Sequence, residues 1–96
     1  MPLFTIRRDV PDVTREDLDA AAFRALACAY EYPGLRWVRS YWDEDRGQLL
    51  CLYEARDAAQ IEHHSRRSRI PCDEIRAVIE FGPESYVAVA AAEGAG

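Results

Sequence analysis

Leu35-Arg36-Trp37-Val38-Arg39-Ser40-Tyr41-Trp42, then Asp43-Glu44-Asp45-Arg46-Gly47, then Gln48-Leu49-Leu50-Cys51-Leu52-Tyr53-Glu54-Ala55 is the stretch that decides the fold. Two runs of aromatic and aliphatic residues flank a polar five-residue loop that ends in glycine, the pattern of a β-hairpin. Symmetric pairing about the loop sets Trp42 opposite Gln48, Tyr41 opposite Leu49, Arg39 opposite Cys51 and Trp37 opposite Tyr53. On that register Val38, Ser40, Leu50 and Leu52 share the core face. Trp37, Arg39, Tyr41, Cys51 and Tyr53 share the other. A slip of one residue would exchange the two faces.

Working outward, Asp57 reads as the cap of a helix with Gln60 at its third position, running to about Ser68. Glu74 to Phe81 then alternates as a strand, and Gly82-Pro83 breaks it. Upstream, Leu3 to Val10 reads as a strand with Phe4 and Ile6 on one side and Thr5, Arg7 and Asp9 on the other. Thr14 begins a helix, with Asp17 in a capping-box position and an apolar face of Leu18, Ala22, Ala25, Leu26 and Ala29. Pro33-Gly34 stops it. The order strand, helix, strand, strand, helix, strand is that of an α+β, ferredoxin-like βαββαβ domain: an antiparallel four-stranded sheet with two helices on one face. Residues 1–84 make this domain, and residues 85–96 add a short extension at Ser85 to Val89 and a mobile small-residue tail, Ala90 to Gly96.

Two helices cover one face of such a sheet, and the other must meet water or a partner. The aromatic and charged set expected there, joined by Arg7, Asp9, Arg76 and Glu80, predicts a homodimer packed face to face into a dimeric α/β barrel-like assembly. Burial would oblige Arg39, Arg7, Asp9 and Glu80 to find partners.

Net charge is −5, which argues against nucleic-acid binding, and every basic residue other than histidine is arginine. No apolar run is long enough to span a bilayer. Met1-Pro2-Leu3 leads straight into structure, and the three cysteines, Cys28, Cys51 and Cys72, lack C-x-x-C spacing. The expectation is a cytoplasmic protein with reduced thiols. No nucleophile elbow, phosphate loop or dinucleotide fingerprint is present.

The second helix carries the adjacent pair His63-His64. Ala58, Ile61, His64, Ser65 and Ser68 fall on its inner stripe, where a core helix would carry leucine or valine. His64 is then the inward histidine and His63 lies at the edge. Adjacent histidines on a helix diverge, so the two make no chelating motif by themselves.

Trp37-Val38-x-Ser40-Tyr41, Cys51-x-Tyr53, Ile61-x-x-His64, the paired Arg66-Arg67 and Pro71 ahead of the last strand together resemble the small nickel-binding, ferredoxin-like proteins common in actinobacteria. The resemblance spans Leu3 to about Pro83. It implies a homodimer and bound nickel, with Cys51, Tyr53 and His64 at matching positions. Arg39 stands where similar sequences often carry histidine, and a guanidinium cannot ligate a metal.

The leading expectation is therefore a non-catalytic, cytoplasmic, homodimeric protein that binds divalent metal, nickel in particular, with His64 first among its ligands and Cys51, Tyr53 and Asp9 behind it. The alternative is a small dimeric α/β-barrel enzyme, monooxygenase- or isomerase-like, acting on an aromatic or polyketide-like molecule. Trp37, Tyr41 and Tyr53 would wall its site, Arg39 (with Arg7 nearby) would orient an anion, and His64 or Asp9 would act as acid or base. A third possibility is a scaffold whose whole role is dimerisation.

Overall fold

β1 (Leu3–Asp9) is a central strand, with β3 (Gln48–Glu54) on one side and β4 (Glu74–Val78) on the other, while β2 (Arg36–Asp43) pairs with the far edge of β3. The structure, a computed structural model, describes residues 1–87. All three pairings are antiparallel, giving the order β2-β3-β1-β4. α1 (Arg15–Ala29) and α2 (Ala58–Ser68) complete the βαββαβ sequence of elements. This is the α+β, ferredoxin-like architecture expected from the hairpin and its flanks.

The helix ends follow local chemistry. Thr14 and Asp17 form a reciprocal capping box, each side chain bonded to the other's backbone N–H at 3.1 Å. The Asp57 carboxylate accepts from the Gln60 N–H at 2.8 Å and starts α2. Arg69 ends α2 in the left-handed region, φ 57°, which turns the chain so that the Ile70 N–H reaches the Ser65 carbonyl at 3.0 Å.

The core lies between sheet and helices: Phe4 and Ile6 of β1, Cys51 and Tyr53 of β3 and Ile61 of α2 are buried together, with Ile75 and Trp37 packed against them. α1 is tied to α2 by polar contacts. The Arg24 guanidinium donates to the Ser68 carbonyl at 2.9 Å, and Arg67 of α2 pairs at 2.9 Å with Glu31, in the turn just after α1. Leu26, expected on the inner face of α1, is instead 49% exposed, alongside the exposed Phe23 and Tyr30. The inner face of this helix is built from Leu18, Ala21, Ala22 and Ala25.

The hairpin register departs from the symmetric one. Asp43 pairs with Gln48, Trp42 with Leu49, Tyr41 with Leu50, Ser40 with Cys51 and Arg39 with Leu52. A bulge between Trp37 and Arg39 then absorbs Val38 and restores Trp37 opposite Tyr53. Drawing Asp43 into the ladder shortens the loop by one residue, and the bulge pays that residue back. The faces change accordingly. Cys51, Tyr53, Ser40, Trp42 and Trp37 lie on the helix side, whereas Leu50 and Leu52 join Arg39, Tyr41, Thr5, Arg7 and Asp9 on the open face.

β4 ends at Val78, not Phe81, because Val78 already pairs with Leu3, the first residue of β1. Glu80 is thus outside the sheet. Residues 84–87 form a helical turn, with the Val87 N–H bonded to the Pro83 carbonyl at 3.0 Å. Residues 88–89 of the expected extension and the tail Ala90 to Gly96 lie outside the described residues.

Candidate functional site

The sheet divides the sequence-selected residues into two groups. Cys51, Tyr53, Trp37 and His64 meet on the helix side; Arg7, Asp9, Arg39 and Tyr41 occupy the open face. No site within one protomer draws on both groups directly, because the sheet stands between them.

On the open face the charges pair locally. Arg7 binds Asp9, and Arg76 binds Glu74. The Asp9 N–H donates to the Asp73 carboxylate at 2.7 Å, tying the strand to the segment before β4. The Asp9 partner holds the Arg7 guanidinium above the usual arginine pKa. Tyr41, 57% exposed, and Leu50, 44% exposed, stand opposite each other beside these pairs.

On the helix side His64 is fully buried. Its Nε2 lies 2.9 Å from the Ala25 carbonyl of α1, which can only accept, so Nε2 carries the proton. Nδ1 of the neutral ring is then a bare acceptor, buried and without a partner. Burial is the main force holding the His64 pKa below 6.5, and the nearby Arg8 charge adds to it against the pull of the Ala25 bond. The ring stacks tilted against Tyr53 at 5.8 Å and edge-on to Tyr32 at 5.5 Å. His63, by contrast, is exposed and bonded through Nδ1 to the Tyr32 hydroxyl at 2.6 Å.

Arg8 is the residue that sequence inspection passed over. It continues the alternation Phe4, Ile6, Arg8 onto the core face, and that alternation was the available signal. Only 1% of it is exposed. Its Nε donates to Cys51 Sγ at 3.4 Å, and Nη1 donates to Ser65 Oγ at 3.0 Å and the Pro71 carbonyl at 2.6 Å. Its Cζ lies 6.0 Å from the centre of the Tyr53 ring. Cys51 Sγ also accepts from Ser40 Oγ at 3.0 Å, which accepts in turn from Trp37 Nε1 at 2.8 Å. Burial pushes the Tyr53 phenol up to about 12, and the Arg8 cation only partly opposes it.

Arg8, Trp37, Ser40, Cys51 and Tyr53 line one side of a cleft of about 270 Å³ between the sheet and α1. Trp37, Trp42 and Tyr53 supply aromatic walls, and Ala21, Ala22 and Ala25 face them from the helix. The short alanine side chains are why the space exists: leucine at these positions would fill it.

Among the described residues no three His, Cys, Asp or Glu side chains converge closely enough to hold a metal ion. His64 Nδ1 has the right chemistry for a ligand, since its other nitrogen is fixed by a carbonyl. Cys51 does not offer a free sulfur, because a guanidinium is already bonded to it. The neutral Tyr53 phenol is equally poorly disposed to a cation. Among the described residues a protomer therefore has the donor types for nickel but too few of them converging.

A family model described as nickel responsive protein, SCO4226-like, matches residues 4–78. The fold is similar to the crystal structure of SCO4226 from Streptomyces coelicolor A3(2), with a TM-score of 0.75 at 22% identity over 83% of this chain and 99% of that one. At that identity the likeness bears on the fold. No curated protein matches the sequence. No helix among the described residues is long and apolar enough to cross a membrane.

Proposed function

The chain belongs to the SCO4226-like family of nickel responsive proteins, and from that premise we propose that it is a homodimeric, cytoplasmic binding protein without a reaction of its own, with nickel as its divalent metal. The observation that carries the reading is the state of His64: neutral, proton on Nε2, lone pair on a buried and unpartnered Nδ1. That is how a metal-ligating histidine is prepared. The remaining donors would come from water, since Arg8 occupies Cys51 and the open face proposed for the partner lies across the sheet from His64. The homodimer is supported by the open face, where Leu50 and Tyr41 are exposed beside neutralised charge pairs. The cytoplasmic setting is supported by three unpaired thiols.

Calorimetric titration of tag-free protein with Ni²⁺ tests the metal reading. Saturable heat at micromolar metal is expected for the wild type, and it should be lost in His64→Gln, whose folding is checked by circular dichroism. Heat no greater than the buffer blank for the wild type would end it.

A second reading, a small α/β-barrel enzyme acting on an aromatic or polyketide-like molecule, is favoured by the cleft walled by Trp37, Trp42 and Tyr53. It differs from the barrel picture in location, since this cleft lies under α1 and not across the open face. Turnover of such a molecule by metal-free protein would establish it.

A further inference from the structure

We infer that the cleft between α1 and the sheet is a binding site for a small aromatic carboxylate, with Arg8 and Trp42 as its anchors. The inference shares its cleft with the second reading above, but it requires binding alone and neither metal nor reaction.

The first observation is an uncompensated charge. Arg8 is buried, and no ion pair among the described residues involves it. Its acceptors are a cysteine sulfur, a hydroxyl and a carbonyl, and no carboxylate is among them. A buried guanidinium without a counterion is costly, and an arriving anion would relieve that cost. One of its nitrogens, Nη2, is buried with no partner at all.

The second observation is independent. Trp42 Nε1 is also buried without a partner, and Trp42 and Arg8 line the same cleft. Both orphaned groups can only donate. A ligand that satisfied them must present acceptors, and a carboxylate presents two oxygens to a guanidinium and an indole N–H.

Charge and size narrow the class. One guanidinium balances one negative charge, and Asp19 lines the same cleft, where it is paired with Arg15 at 3.0 Å. A dianionic phosphate would bring an excess charge towards that carboxylate. The volume, about 270 Å³, is at the small end for ligand sites, suited to one aromatic ring and a short arm. Flat apolar walls from Trp37, Trp42 and Tyr53 favour a ring over an aliphatic chain.

Both tryptophans of the chain line the cleft, so their fluorescence reports its occupancy directly. Tag-free protein in EDTA would be titrated with benzoate, phenylacetate and indole-3-carboxylate, and in parallel with benzamide. Saturable quenching by at least one carboxylate is expected, with benzamide about tenfold weaker or worse than benzoate, reflecting the charge-assisted contact. Arg8→Met should abolish the preference for carboxylate over amide. Trp42→Phe keeps the wall but loses the N–H, so it should weaken carboxylate binding while Trp37 still reports. No saturable response to any of the three carboxylates, or equal affinity for benzoate and benzamide in the wild type, would overturn the inference without any variant having to fold. The EDTA keeps the outcome separate from nickel binding.

Discussion

Arg8 and Cys51 are joined diagonally across the β1–β3 pair, Arg8 Nε donating to Cys51 Sγ over 3.4 Å with both side chains buried. Ser40 Oγ donates to the same sulfur at 3.0 Å. Cys51→Ala should therefore strand two donors and cost about 1–3 kcal/mol of stability. Urea denaturation measures this, and an unchanged midpoint would show that the sulfur carries neither contact energetically. Cys51→Ser, which keeps an acceptor, is expected to lose less.

The buried His64 predicts a pH dependence with a definite sign. Burial keeps its folded-state pKa below 6.5, so as pH falls through 6.5 the unfolded chain binds the proton first. Stability is then level above that pH and declines below it until the folded ring also titrates. Denaturation at stepped pH should show this decline in the wild type and a flatter profile in His64→Gln. The capping and paired carboxylates Asp17, Asp57, Glu54 and Glu74 are depressed by their partners, so their loss belongs to a separate, more acidic window as they protonate.

The hairpin loop closes on Gly47, whose φ is +62° and whose carbonyl accepts from the Val10 N–H at 2.7 Å. A Cβ there would meet the Pro11 backbone at 3.0 Å. Gly47→Ala is expected to destabilise by about 1–2 kcal/mol from backbone strain alone, and more if Pro11 does not give way. Thermal unfolding of the pair of proteins gives the answer.

Homodimerisation through the open sheet face predicts that Leu50→Glu, placed opposite Tyr41, converts a dimer into a monomer with the same circular dichroism. Sedimentation velocity distinguishes the two states. A wild type that sediments as a monomer at high concentration removes the premise.

Element order and the helix starts were legible in the sequence, because each rests on local chemistry, the Thr14–Asp17 box and Asp57 with Gln60, whereas α1 already ends at Ala29, ahead of the expected stop at Pro33-Gly34. The faces of the hairpin were not. A bulge adds one residue to one strand and leaves no mark in the alternation, so symmetric counting was correct at Trp37–Tyr53 and wrong from Arg39 to Trp42. Composition reinforced the error. Leu50 and Leu52 are more apolar than Cys51 and Tyr53, yet they face outward, which is what a surface kept for a second copy would do. The same inversion concealed Arg8, an arginine on the oily side of a strand whose hydrogen-bond acceptors come from Cys51, Ser65 and Pro71, remote in sequence. The short reach of β4 was equally invisible locally, being set by where β1 begins.

The alanines at positions 21, 22 and 25 give α1 an adjustable role. Each methyl exchanged for a bulkier group would narrow the chamber from one wall and leave the strands that carry its donors untouched. Selectivity among guests can thus drift by changes in a single helix, while the polar anchor beneath it is inherited intact.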